Sequence, residues 1–184
     1  MLDTAALTGL TLVSLDDVAP FDEAPETGAT FEDNALAKAR AGFTATGLPT
    51  VADDSGLEVA ALNGMPGVLS ARWSGVHGDD ASNTELLLAQ LRDVPDERRG
   101  AAFVSACALV SKSGEIVVRG EWPGAIAREA RGDAGFGYDP VFIPDDEDRT
   151  AAQLTSVEKD AMSHRGRALA LLLPALRALA TEAR

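Results

Sequence analysis

Two adjacent carboxylates, Asp53 and Asp54, interrupt the apolar run of VADDSGLEV, residues 51–59. Aspartate, serine and glycine are turn formers, so the plain reading is a strand that ends there. The chemical reading is that a strand terminus holds carboxylates rigidly at the edge of a cleft. A third acid, Asp33, falls in the first turn of a helix predicted over about 31–46, where the helix dipole favours a carboxylate in any case. An acid on a helix start and an acid pair on a strand end also suit Mg2+. That ion takes oxygen ligands octahedrally and commonly uses one or two carboxylates, with water and substrate phosphates completing its shell. Composition alone leaves both readings standing.

Two further stretches carry chemistry. In AGFGYDP, Gly135 and Gly137 let the backbone approach a ligand closely, and Phe136 between them is an exposed aromatic unless a flat ring stacks on it. A purine is a good partner for that face; a tight turn whose aromatics tuck into the core is the plain alternative. Asp139 precedes Pro140 and is therefore restrained towards an extended backbone. In EKDAMSHRGRAL, Ser163 is a helix cap that places His164 and Arg165 in a first helical turn, where unpaired amides welcome anions. Arginine is disfavoured at that end by the dipole, so Arg165, with Lys159 one turn upstream, suggests an anionic ligand. His164 alone reads equally as a surface histidine.

The elements that must position these residues are mixed. LTLVSL (residues 10–15) reads as a strand, and the acidic, proline-containing segment 16–28 as a loop. Thr30 and Asp33 resemble a capping box, apolar residues from Phe31 to Thr46 follow helical spacing, and Gly47 suits the C-cap. Residues 49–53 and 56–62 read as two short strands, the second closed by Asn63-Gly64. A helix is expected over about 79–91, and a long hairpin over 101–122 turns at Ser113-Gly114. A brief strand VFI follows the glycine-rich loop, Thr155 and Glu158 make a second capping box, and a C-terminal helix carries Pro174, which should kink or interrupt it. The fold class is α/β in the mixed α+β sense: a curved mixed sheet, helices packed on it and a central groove, all in one domain over residues 1–184.

The chain has 184 residues, 46% of them hydrophobic, with a net charge of −13. That is enough apolar material for a core, and the acidic balance argues against nucleic-acid binding, which rests on lysine and arginine neutralising phosphates. One cysteine, Cys107, permits no internal disulfide and suits a reducing, cytoplasmic setting. No signal peptide and no uncharged apolar stretch of about 18 residues suggests a membrane partner. Two histidines and one cysteine without ligand spacing exclude zinc-site readings, and no G-x-S-x-G elbow is present.

TFEDNALAKAR, LPTVADDSGLEV, MPGVLSARW, GFGYDPVF and EKDAMSHRGRAL stand in the order and spacing of the Ham1/inosine-triphosphate pyrophosphatase family, which the chain resembles over nearly its whole length. The resemblance implies an elongated α/β fold and a homodimer. It implies Mg2+-dependent hydrolysis of ITP, dITP and XTP to the monophosphate and pyrophosphate, which clears deaminated purines from the nucleotide pool. By position, Asp33 matches an acidic metal residue and Asp54 a metal-binding proton acceptor. Ser55 matches a substrate contact, Phe136, Gly137, Tyr138 and Asp139 the base-binding loop, and Lys159, His164 and Arg165 the remaining substrate contacts. A site of fixed donors with Asp139 would reject adenine, whose hydrogen-bonding edge is the reverse of a 6-oxo purine.

Family members usually begin with a strand and a Thr/Ser-x-Asn-x-x-Lys loop that grips phosphates. Here no asparagine or lysine precedes Asn34 and Lys38. The resemblance therefore carries a second expectation, a purine-nucleotide-binding protein of the same fold with little turnover. A third is a Mg2+ pyrophosphatase of the related Maf type with other base preferences.

Overall fold

A computed structural model of the chain describes residues 9–182. Among the described residues, four α-helices and four strands follow one another in the order α1 (Phe31–Thr46), β1 (Thr50–Val59), α2 (Asp80–Gln90), β2 (Gly100–Ser111), β3 (Gly114–Ile126), β4 (Phe142–Pro144), α3 (Ser156–Met162) and α4 (His164–Glu182). The strands form one sheet in the order β1-β2-β3-β4. Strands β2 and β3 are a hairpin over the two residues Lys112 and Ser113, one position earlier than the expected Ser113-Gly114 turn. Strand β4 runs antiparallel to β3, pairing Ala125 with Ile143. The mixed α/β class is as expected.

The chain divides into two compact units, one of residues 1–54, 105–120 and 165–184, the other of 55–104 and 121–164. In the first unit, α1 begins at Thr30, whose hydroxyl accepts from the Asp33 amide, and ends at Gly47, left-handed at φ 70°. Only this half of the predicted Thr30–Asp33 box forms a cap. Phe31, Ala35, Ala39 and Gly42 make its buried face. Gly42 allows close approach, since a Cβ there would meet the Thr50 side chain at 2.7 Å. Helix α4 packs Ala168, Leu172 and Leu176 on Cys107 and Leu109 of β2, with Val51 of β1 beside them. It runs unbroken through Pro174. The lost donor there does not end a helix whose apolar face is buried along its length.

Two expectations are corrected. Residues 10–14 form no strand, and Leu15–Asp17 is a single 3-10 turn closed by Ser14 and Asp17. An apolar pattern six residues long is short enough to be outweighed by the local Ser14–Asp17 bonds. The two short strands around Asp53-Asp54 are one strand, β1, ten residues long, with Ala60–Leu62 a 3-10 turn after it. The acids thus lie mid-strand rather than at a terminus. Aspartate, serine and glycine are weak strand formers, but strand propensity yields to cross-strand and face packing.

The second unit has the larger core: Leu57 and Val59 of β1, Leu87 and Leu91, Trp122, Ile126, Val141 and Phe142. Phe103 meets Phe142 edge-on with centroids 4.6 Å apart, and Trp122 meets Phe142 at 5.5 Å. Arg99 is buried against this core and gives its guanidinium to three carbonyls, those of Ile126 at 2.7 Å, Leu91 at 2.6 Å and Ala127 at 2.7 Å. It ties the C-terminus of α2 to the end of β3. Burial, with the charge of Arg128 nearby, pushes the guanidinium pKa down. Arg99→Met should cost about 3 kcal/mol, because several buried acceptors lose a charged donor at once. Urea unfolding checks it: the midpoint falls with the slope unchanged, and a midpoint like wild type contradicts the role. Arg99→Lys should not rescue, since an ammonium cannot match a planar fork of three donors.

Candidate active site

Successive side chains of a strand face opposite ways, and β1 puts that rule to chemical use. Thr50 and Asp54 face α1; Val51 and Asp53 face α4. The adjacent acids therefore do not act as a pair. Asp53 accepts from Arg165 Nε of α4 at 3.0 Å, both side chains being partly exposed. Asp54, 8% exposed, belongs to the α1 side.

There it is held at two points. Its Oδ1 accepts from Lys38 Nζ at 2.8 Å and its Oδ2 from Asn34 Nδ2 at 3.0 Å. Asn34 and Lys38 are four residues apart on α1, so both rise from one helical face. Asn34 is 1% exposed, and its Oδ1 in turn accepts the Gly28 amide at 2.7 Å. Lys38 spends its other donors on Glu26 Oε1 at 2.6 Å and on the Asp53 carbonyl at 3.3 Å. Burial works against the Lys38 charge, but hydrogen bonds and attraction from Asp54 and Glu26 outweigh it and raise its pKa. The result is a rigid carboxylate with a fixed cation on one oxygen and an amide on the other. Asn34, Lys38 and Glu26 were not among the residues expected to serve the site. Polar residues at i and i+4 beside an alanine stripe were the available signal for the first two.

Asp33 stands on the exposed side of the first turn of α1, one residue before Asn34. Among the described residues no group of three or more metal-ligating side chains comes together. Asp33 directly precedes Asn34, whose amide holds Asp54, and Mg2+ commonly takes only one or two protein carboxylates.

In the second unit the glycine-rich loop resolves its alternatives residue by residue. Tyr138 goes into the core, where its hydroxyl donates to the Ser70 carbonyl at 2.8 Å. Burial, and the charge of Asp80, push its pKa up. Phe136 instead stays out, 59% exposed. Asp139 is buried, accepts the Phe136 amide at 2.9 Å and forms an ion pair with Lys159 of α3. Gly135, at φ 81°, leaves the space that the Asp139 carboxylate occupies. Lys159 Nζ also lies 4.7 Å from the Phe136 ring centroid, a cation over an aromatic face. Phe136, Gly137, Tyr138, Asp139 and Lys159 are thus one cluster.

Lys159 sits on α3, whose start is a complete capping box between Thr155 and Glu158, as expected. The Thr155 amide and hydroxyl, then Arg149, pull the Glu158 pKa down to about 2. His164 is not a surface residue: it is buried and stacks on Phe103 with centroids 5.1 Å apart. Ser163, extended at φ −63° and ψ 155°, separates α3 from α4. Ser55 follows Asp54 on β1 and belongs to the second unit.

The Ham1 family model matches residues 1–175, and the chain belongs to that family. It is 81% identical over 181 residues to the dITP/XTP pyrophosphatase of Mycolicibacterium paratuberculosis, covering 98% of this chain and 89% of that protein. Among solved structures, the nucleoside-triphosphatase, or dITP/XTP pyrophosphatase, of Mycobacterium abscessus is 68% identical with a TM-score of 0.80, over 95% of this chain and 90% of the other. The Staphylococcus aureus Ham1 protein is 36% identical with a TM-score of 0.87, over 100% of this chain and 93% of the other.

Proposed function

We propose that this chain hydrolyses non-standard purine nucleoside triphosphates, ITP, dITP and XTP, to the monophosphate and pyrophosphate. The observation that carries the reading is the two-point grip on Asp54, whose buried carboxylate is held in place by Lys38 and Asn34. The name of an 81% identical relative, dITP/XTP pyrophosphatase, supports dITP and XTP as substrates.

In this reading Asp54 takes a proton from the water that attacks the α-phosphorus. The new bond is water oxygen to phosphorus, and the bond that breaks joins the α-phosphorus to the bridging oxygen of the leaving pyrophosphate. Asp33 and Asp54 would hold Mg2+, which when bound offsets triphosphate charge. Phe136 stacks on the base, with Gly137, Tyr138 and Asp139 shaping that subsite. Ser55, Lys159, His164 and Arg165 complete the substrate contacts. The Asp53–Arg165 pair keeps the guanidinium of Arg165 in place on α4. The protein works as a homodimer in the cytoplasm.

Pyrophosphate release from ITP, XTP, dITP, GTP, ATP and a pyrimidine triphosphate in Mg2+ is the test. Turnover confined to ITP, dITP and XTP is the expected result. Equal turnover of ATP, or preference for the pyrimidine as in a Maf-type enzyme, overturns the substrate assignment. Calorimetric binding of ITP without release would revive the reading of a binding protein without turnover, which the relatives' names do not favour. Among the described residues no helix is long and apolar enough to cross a membrane.

A further inference from the structure

Phe136 is a large apolar side chain kept in solvent, although its neighbour Tyr138 is drawn into the core. Something must hold the intervening peptide against the same collapse. Gly137 is gripped on both sides by the start of α2. Its amide donates to Asp80 Oδ2 at 2.6 Å, and its carbonyl accepts from Thr84 Oγ1 at 3.4 Å. Asp80 and Thr84 are one helical turn apart, so both reach the peptide from one face of α2. The helix start is itself secured by Asp79, which accepts the Ser82 amide at 3.1 Å. Asp80 is therefore not needed as the cap. Its carboxylate is committed to a loop 57 residues away in sequence.

We infer that Asp80, assisted by Thr84, is a positioning residue for the nucleobase subsite: it fixes the Gly137 peptide so that Phe136 stands out as a preformed stacking platform. The inference rests on the reading of Phe136 as the base-stacking residue. A short bond from an amide to a carboxylate is among the stronger hydrogen bonds a loop can have. Without it, the φ 61° conformation of Gly137 has no charged partner and the loop samples other states. Substrate then selects the competent fraction, and apparent affinity falls by that fraction.

Steady-state kinetics with ITP test this. Asp80→Ala should raise KM about tenfold, the loss of one charge-assisted bond, and leave kcat within about threefold. Asp80→Asn keeps an acceptor oxygen in place and should stay within about threefold of the wild-type KM. Asp80→Glu retains a charge at the start of α2 and serves if the alanine variant does not fold; its misplaced carboxylate should raise KM about fivefold. In a Phe136→Ala background, Asp80→Ala should add little, because both changes remove the same platform. An unchanged KM in folded Asp80→Ala or Asp80→Glu, or full additivity with Phe136→Ala, overturns the inference. Phe136→Ala with a wild-type KM strikes instead at the stacking reading beneath it.

Discussion

Asp54→Asn should lower kcat for ITP by about a thousandfold or more, the combined loss of a general base and a metal carboxylate. The substitution preserves volume on β1 and removes one charge. It does not leave the surroundings untouched. Lys38 Nζ and Asn34 Nδ2 are both donors, and each now faces one oxygen of Asp54. An asparagine has one oxygen and one amino group, so whichever way it turns, a donor meets a donor. Lys38 keeps Glu26 and the Asp53 carbonyl, which limits the damage. A loss of about 1–3 kcal/mol of stability is therefore expected beside the catalytic effect. Urea unfolding separates the two, and a folded Asp54→Asn variant turning over at the wild-type rate would remove Asp54 from the chemistry.

Phe136→Ala should raise KM for ITP by about 5- to 150-fold, the worth of stacking one base on one aromatic ring, and leave kcat nearly unchanged. Stacking on the base is the same in ground and transition states, so its loss is a loss of uniform binding. Stability should hardly move: the ring is 59% exposed, with Lys159 Nζ over its face. That contact is worth about 0.5–1 kcal/mol at an exposed site. Phe136→Leu retains apolar area without a π face and should fall between. A change in kcat alone would contradict the stacking role.

What was local in the chain was legible in it. Helix α1 runs over the residues its 3.6-residue spacing indicates, from a threonine cap to a left-handed glycine. The capping box at Thr155 and the two-stranded hairpin are likewise written in neighbouring residues. Phe136 between two glycines is exposed, the outcome that the loop composition left open beside burial in the core. The family, too, was readable from five motifs in order.

The carboxylates show where local reading stops. Asp53 and Asp54 are adjacent in sequence, yet they serve opposite faces of a strand that their own propensities argue against. Whether β1 continues through them depends on α1 just before it and on β2 and α4, which lie far away along the chain. The grip of Asn34 and Lys38 on Asp54 spans 20 and 16 residues, and that of Asp80 on Gly137 spans 57. Such contacts are set by register, and one residue of slip would exchange Asp53 for Asp54 at α1. Sequence by itself determined which segments coil and to which family the ordered motifs belong. Tertiary packing alone decided which acid faces Lys38, because the direction a strand side chain points has meaning only against the helix that covers it.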